Sequence, residues 1–167
     1  MNRDVRDHVA NLRRQWAREM PSVDTEGMAI LGRARRIVLA TGPAIEKVLR
    51  EFDLDRGEFD VLASLRREGV PFRLSPTDLY RALMISSGGL TDRLVRLERK
   101  GLIARIPSAN DARSMLVELT TSGCKRAEAA FSADMALERD LISPLTAKER
   151  RQLGSLLQKL AVHADAP

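Results

Sequence analysis

The chain has 167 residues, 44% hydrophobic and 31% charged, with 28 Lys and Arg against 23 Asp and Glu for a net charge of +5. That balance suits a globular protein of one domain with appended helices, and no apolar run approaches the roughly 18–20 residues that span a bilayer. Met1-Asn2-Arg3-Asp4 leads into a charged amphipathic segment and not an apolar leader, and the lone Cys124 excludes an internal disulfide framework, so the expected location is cytoplasmic.

In chain order, Val5, Val9, Leu12 and Trp16 recur at i, i+4, i+7 and i+11, one stripe of an amphipathic helix that Met20-Pro21 ends. A second helix runs from about Glu26 to Glu51 with Gly42-Pro43 inside it. Pro43 cannot donate to the Leu39 carbonyl, which predicts a kink or break there. Asp55 caps a third helix with Glu58 three residues on, as in a capping box, and Phe59, Leu62 and Leu65 form its buried stripe before Gly69-Val70-Pro71 stops it. Ser75-Pro76-Thr77-Asp78 opens a short fourth helix, to about Leu83, with a hydroxyl cap, proline at the first position and a carboxylate in the first turn.

Met84-Ile85-Ser86 reads as a turn, and a fifth helix runs from Ser87 to Lys100, closed by Gly101. Strands Leu102–Ile106 and Ser114–Leu119 flank the polar turn Pro107–Arg113. A long helix follows from Thr121 to about Leu141. Ser143-Pro144 breaks it, and Thr146 to Glu149 is a capping box that opens the last helix. Three helices followed by a hairpin make a winged helix-turn-helix, so the expected fold is mainly α with a small β-hairpin.

The chemistry concentrates in one stretch. On the helix from Ser87 to Lys100, Leu90, Leu94 and Leu97 form the inward stripe, so Asp92, Arg96 and Arg99 point outward and Arg93 and Lys100 lie at the boundary. From Ser86 to Arg113, six basic residues stand against three acidic ones. The run Ser86-Ser87-Gly88-Gly89 leaves backbone N–H groups open to an approaching phosphate or base edge. The same pattern also suits a solvated basic face. His8 and His163 lie at opposite ends, and neither a phosphate-cradling loop nor a nucleophile elbow occurs, so no metal, no cofactor and no enzymatic activity are expected.

With those residues placed, Asp55 to Thr121 resembles the MarR family of bacterial regulators. The motifs that carry the likeness are LSPTDLYRALMISSGGLTDRLVRLERKGLIARI and the wing segment NDARSMLVELT. RRQWARE, GEFDVLASLRREGVPF and ERDLISPLTAKERRQL extend it over nearly the whole chain, to the urate-responsive PecS-type subgroup. The resemblance implies a homodimer on a palindromic double-stranded DNA operator. Residues 1–52 would form N-terminal helices and a dimer region, 53–120 the winged head, and 121–167 the C-terminal dimerisation helices. It implies DNA contacts from Ser75 and Thr77, from Ser86, Ser87, Gly88 and Gly89, from Thr91, Asp92, Arg93, Arg96 and Arg99, and from Asp111 and Arg113 of the wing.

It also implies that Trp16, Asp60, Arg93 and Arg105 sense urate or a related purine, whose arrival frees the operator. Read from periodicity alone, Trp16 is a packing anchor and Asp60, with Ser64 and Arg67, belongs to a solvated face. Arg93 and Arg105 are equally well phosphate clamps. Other inputs stay open at this point: a phenolic, another anion, or an oxidant at Cys124. Three departures stand out. Ala112 replaces a frequent second wing arginine, Asp92 replaces an Asn or Ser, and Gly42-Pro43 interrupts a usually smooth helix.

Overall fold

A computed structural model describes residues 7–83, 89–107 and 115–164. The chain divides into two compact units, Met1–Ala44 and Ile45–Pro167.

In the first unit, α1 (His8–Glu19) starts where the Asp7 carboxylate accepts from the backbone N–H groups of Val9 and Ala10, and it ends at Met20. Asp7 also receives the Arg33 guanidinium from α2 (Glu26–Glu51). Val9 is buried against Gly32, where an added Cβ would lie 3.3 Å from Val9 Cγ1. The Val5 end of the predicted stripe lies outside the described residues.

Of the kink or break predicted at Pro43, the break does not occur: α2 runs without interruption from Glu26 to Glu51. Leu39, whose carbonyl loses its partner to the proline, is exposed, so water can supply the missing donor. The Thr41 hydroxyl donates to the Ile37 carbonyl at 2.9 Å one turn back.

The second unit is built around α3 (Arg56–Glu68). Its capping box is complete: Glu58 N–H donates to Asp55 Oδ1 at 2.7 Å and Asp55 N–H to Glu58 Oε2 at 3.1 Å. There follow β1 (Arg73–Leu74), α4 (Pro76–Ala82), α5 (Leu90–Arg99), β2 (Ile103–Pro107), β3 (Met115–Leu119), α6 (Thr121–Leu141) and α7 (Ala147–Ala164). Leu62, Leu65, Leu79, Leu97, Leu102 and Val117 are fully buried and join α3, α4, α5 and the sheet into one core.

The expected hairpin is present as β2 and β3, and a third strand joins it to make an antiparallel sheet in the order β1-β3-β2. Two residues are too few to show alternation, so β1 was invisible in the sequence. It forms because Leu119 N–H donates to the Phe72 carbonyl at 3.1 Å and Arg73 pairs with Glu118 across the strands at 2.9 Å. The reading helix begins at Leu90 and not at Ser87: Gly89, with φ +84°, sits in the left-handed region and caps it. Ser86, Ser87 and Gly88 lie outside the described residues, as do Asp111, Ala112 and Arg113 at the wing tip.

Candidate nucleic-acid interface and adjoining pockets

Three turns of α5 put Leu94 and Leu97 into the core and leave Thr91, Asp92 and Arg99 exposed. Thr77, in the first turn of α4, is exposed as well, while Ser75 is half-buried because its hydroxyl caps that helix, accepting from Asp78 N–H at 3.1 Å. Arg96 departs from the outward placement that helical angle implies. Its Nε donates to Glu58 Oε1 at 3.0 Å and its Nη2 to Asp55 Oδ2 at 2.7 Å. Lys100 Nζ joins them, donating to Glu58 Oε2 at 3.0 Å and to the Asp53 carbonyl at 2.6 Å.

Glu58 is only 2% exposed. One carboxylate thus closes the α3 capping box and accepts from two cations of α5, and a buried carboxylate needs such partners. In the sequence Glu58 shows only its capping role. The available signal was the i, i+4 spacing of Arg96 and Lys100, which brings two cations to one point on a neighbouring helix.

Beside this network opens a cavity of about 800 Å³. Five cations, Arg50, Arg56, Arg93, Arg96 and Lys100, line it together with five carboxylates, Glu46, Asp53, Asp55, Glu58 and Asp92. Arg93 lies across Gly57 of α3 so closely that a Cβ on Gly57 would overlap Arg93 Nε and stand 2.5 Å from Cζ. Glycine is what admits the guanidinium there. Arg93 Nη1 is buried and, among the described residues, has no hydrogen-bond partner.

Asp60, one turn beyond Gly57, is no solvated carboxylate. Its side chain is 14% exposed, Arg56 Nε stands 3.6 Å from Oδ1, and Oδ2 is buried without a partner among the described residues. Burial pushes its pKa up, against the pull of the Arg56 and Arg93 charges, and the Asp134 charge pushes it up further. Ser64, assigned to the same polar face, is buried too, and Arg67 is turned away to donate to the Ala82 carbonyl at 3.1 Å.

Of the four residues singled out as a ligand set, Asp60 and Arg93 come within electrostatic reach of each other. Arg105 is engaged elsewhere. It leaves β2 to pair with Glu98 of α5, Nε to Oε2 at 3.2 Å. Trp16 is on α1 in the first unit, 47% exposed, so periodicity overstated its packing role. Cys124 is half-buried against the core in the first turn of α6.

Among the described residues no group of three or more His, Cys, Asp or Glu is arranged to hold a metal, and no helix is long and apolar enough to cross a membrane.

Comparison with known proteins agrees with this geometry. The MarR family profile matches residues 52–114. The chain is 37% identical over 155 residues, 93% of either length, to the HTH-type transcriptional regulator PecS of Dickeya dadantii. It is 34% identical over 119 residues to the multiple antibiotic resistance protein MarR of Escherichia coli, covering 70% of this chain and 79% of that one.

A mutant of E. coli MarR in complex with operator DNA matches the fold with a TM-score of 0.69 at 31% identity, over 83% of this chain and 99% of that one. Bordetella bronchiseptica BpsR, whose DNA binding is regulated by 6-hydroxynicotinic acid, shares the fold at a TM-score of 0.70 and 24% identity, over 83% and 94% of the two chains. The curated relatives are transcriptional regulators, not enzymes. The chain belongs to the MarR family and is a DNA-binding transcriptional regulator with a winged helix-turn-helix head.

Proposed function

We propose that the protein is a homodimeric repressor that leaves a palindromic operator when urate or a related purine anion binds beside Arg93. The observation that carries this reading is the buried Arg93 Nη1 on the reading helix itself, without a partner among the described residues, next to a cavity of mixed charge large enough for a bicyclic ring. Urate is flat and anionic near neutral pH, and a guanidinium offers it a planar fork of donors. Asp60, within electrostatic reach of Arg93, lines the neighbouring smaller cavity, and Trp16 enters the reading only through the family resemblance, as an indole suited to stacking on a flat ring. An anion there interacts differently with each position of α5, which is what a switch requires. Arg105, held by Glu98, carries a shift of α5 into wing strand β2.

Support for the dimer comes from α7, which has no buried residue and exposes Leu153, Leu156, Leu157 and Leu160 at i, i+3, i+4 and i+7. DNA contacts are assigned to Ser75 and Thr77 of α4, to Ser86–Gly89, to Thr91, Asp92 and Arg99 of α5, and to Asp111 and Arg113 of the wing. Two half-sites about one helical turn apart would match a two-fold dimer.

A gel-shift titration with urate tests the ligand. Operator affinity of the wild-type protein is expected to fall by about tenfold or more, a coupling of ~1.4 kcal/mol. Arg93→Ala is expected to remove that response. Unchanged wild-type affinity would overturn the purine reading, and a persisting response in Arg93→Ala would move the pocket elsewhere. Trp16 is the only tryptophan, so quenching of its fluorescence by urate is an independent check.

Arg96 is assigned a positioning role, because Glu58 and Asp55 already hold its guanidinium. Removing a phosphate contact lowers the slope of log affinity against log salt by about 1. Arg99→Ala is therefore expected to lower that slope, whereas Arg96→Ala weakens binding and leaves it unchanged. A slope change of about 1 in Arg96→Ala would restore it as a phosphate contact.

A second reading replaces the purine with another planar anion or a phenolic. It is favoured by the cavity itself, which is open, and whose volume and mixed charges do not restrict it to a purine.

A further inference from the structure

A smaller cavity, of about 230 Å³, lies between α3 and α6. Phe59, Asp60, Phe131, Asp134, Met135 and Glu138 line it, with Arg56 and Arg67 at its margin. Asp134 occupies a buried stripe of α6 that is otherwise apolar, following Ala127 and Ala130 at i, i+3 and i+7. It is 2% exposed, and its Oδ1 has no hydrogen-bond partner among the described residues. Asp60 contributes a second unpartnered buried oxygen, Oδ2.

The local cations do not meet this demand. Arg56 reaches the other oxygen of Asp60, at 3.6 Å. Arg67 donates to the Ala82 carbonyl at 3.1 Å and to Ser64 Oγ at 3.5 Å. Three carboxylates, Asp60, Asp134 and Glu138, line the cavity with two guanidiniums, one of them turned elsewhere, and Arg93 acts on Asp60 only electrostatically, from outside the lining. A buried acceptor left without a donor costs free energy, and such groups call for an explanation outside the chain's own contacts.

We propose that this cavity is a second effector site, taking a small organic cation whose planar N–H donors bridge Asp60 and Asp134 while an apolar body lies against Phe59, Phe131 and Met135. An amidinium or guanidinium fits this description. Either carries parallel donors matched to carboxylate oxygens, and its charge replaces the missing counter-charge. Phe131 is 51% exposed and marks an open side through which the ligand enters. The site shares Asp60 with the purine reading but does not rest on it, since Asp134 lines this cavity alone and its carboxylate selects the opposite charge.

Benzamidine is the probe. Titrated calorimetrically into the full-length protein at pH 7, it is expected to bind, whereas benzamide, its neutral isostere, is not. Asp134→Asn keeps the shape and removes the charge, and it is expected to weaken benzamidine at least about tenfold. Phe131→Ala, at an exposed position that does not threaten the fold, is expected to weaken it severalfold.

Burial raises the pKa of both Asp60 and Asp134, against the pull of Arg56 on each and of Arg93 on Asp60. Benzamidine affinity should therefore fall as pH drops through their folded values, because protonation removes the counter-charge. The sign is opposite for the free protein. A raised carboxylate pKa means the folded state binds protons first, so acidifying through the same window adds stability. Asp134→Asn should accordingly be at least as stable as wild type at pH 7. No heat with millimolar benzamidine, the result expected of a cavity filled only by water, would overturn the proposal. Equal affinity in wild type, Asp134→Asn and Phe131→Ala would overturn it as well.

Discussion

Gly123→Ala is expected to destabilise the protein by about 3 kcal/mol, the upper part of the usual range for overpacking. Gly123 stands in the first turn of α6, where the Thr120 hydroxyl accepts from its N–H at 3.0 Å. A Cβ there would fall on the Leu102 carbonyl oxygen and lie 2.9 Å from the carbonyl carbon. That carbonyl cannot swing aside. It accepts from Thr120 N–H at 3.1 Å, and Leu102 itself is fully buried in the core. Alanine would gain up to ~1 kcal/mol of helix propensity over glycine, too little to offset the clash. Thermal unfolding should show a midpoint roughly 6–12 °C lower. A midpoint at or above wild type would mean that α6 and the start of the wing are free to separate.

Gly57→Ala makes the contrasting case, since the atoms it meets belong to a flexible side chain and not to backbone. The new methyl would displace the Arg93 guanidinium from its place across α3. The first turn of α3 should gain helix propensity, so stability is expected to hold or to rise by up to ~1 kcal/mol. The urate response of operator binding, in contrast, should fall by about tenfold or more, as in Arg93→Ala. A protein of undiminished stability that no longer answers the ligand would locate the sensing contact on one guanidinium. A full response in Gly57→Ala would show that Arg93 acts from another rotamer, or not at all.

Much of the second unit is legible along the chain because its signals are local. Asp55 and Glu58, Ser75 and Pro76, and Thr146 and Glu149 mark helix starts within four residues, and each helix begins there in the structure. Leu94 and Leu97 on α5, and Val117 and Leu119 on β3, point inward as periodicity requires. Errors arise where a local rule meets a condition it does not contain. Pro43 removes a hydrogen bond, yet the carbonyl it orphans is on an exposed turn where solvent replaces the donor. Gly89 could have been helical by composition, but its left-handed backbone delays the start of α5 to Leu90.

The candidate pockets were less legible for a related reason. Asp60 and Ser64 fall on the polar side of α3, and only the approach of α6 takes that side out of water. Asp134 had a readable signal, a carboxylate at the buried spacing of Ala127 and Ala130, but its meaning depends on what α3 brings opposite it. Gly57 gives no sign in the sequence that a guanidinium from 36 positions later will lie across it.

The sequence by itself determined the fold class, the order of helices and wing, and the concentration of basic residues on α5, because periodicity, capping and composition are properties of neighbouring residues, while its motifs carried the resemblance to the family. Only the tertiary structure decided which charges are free and which are already committed. Arg96 and Arg99 are both outward-facing arginines of one helix by angle. The fold turns the first onto Glu58 and leaves the second exposed. Charge pairing is settled by which helix ends are brought together and how much water remains between them, and neither quantity is carried by any short stretch of chain.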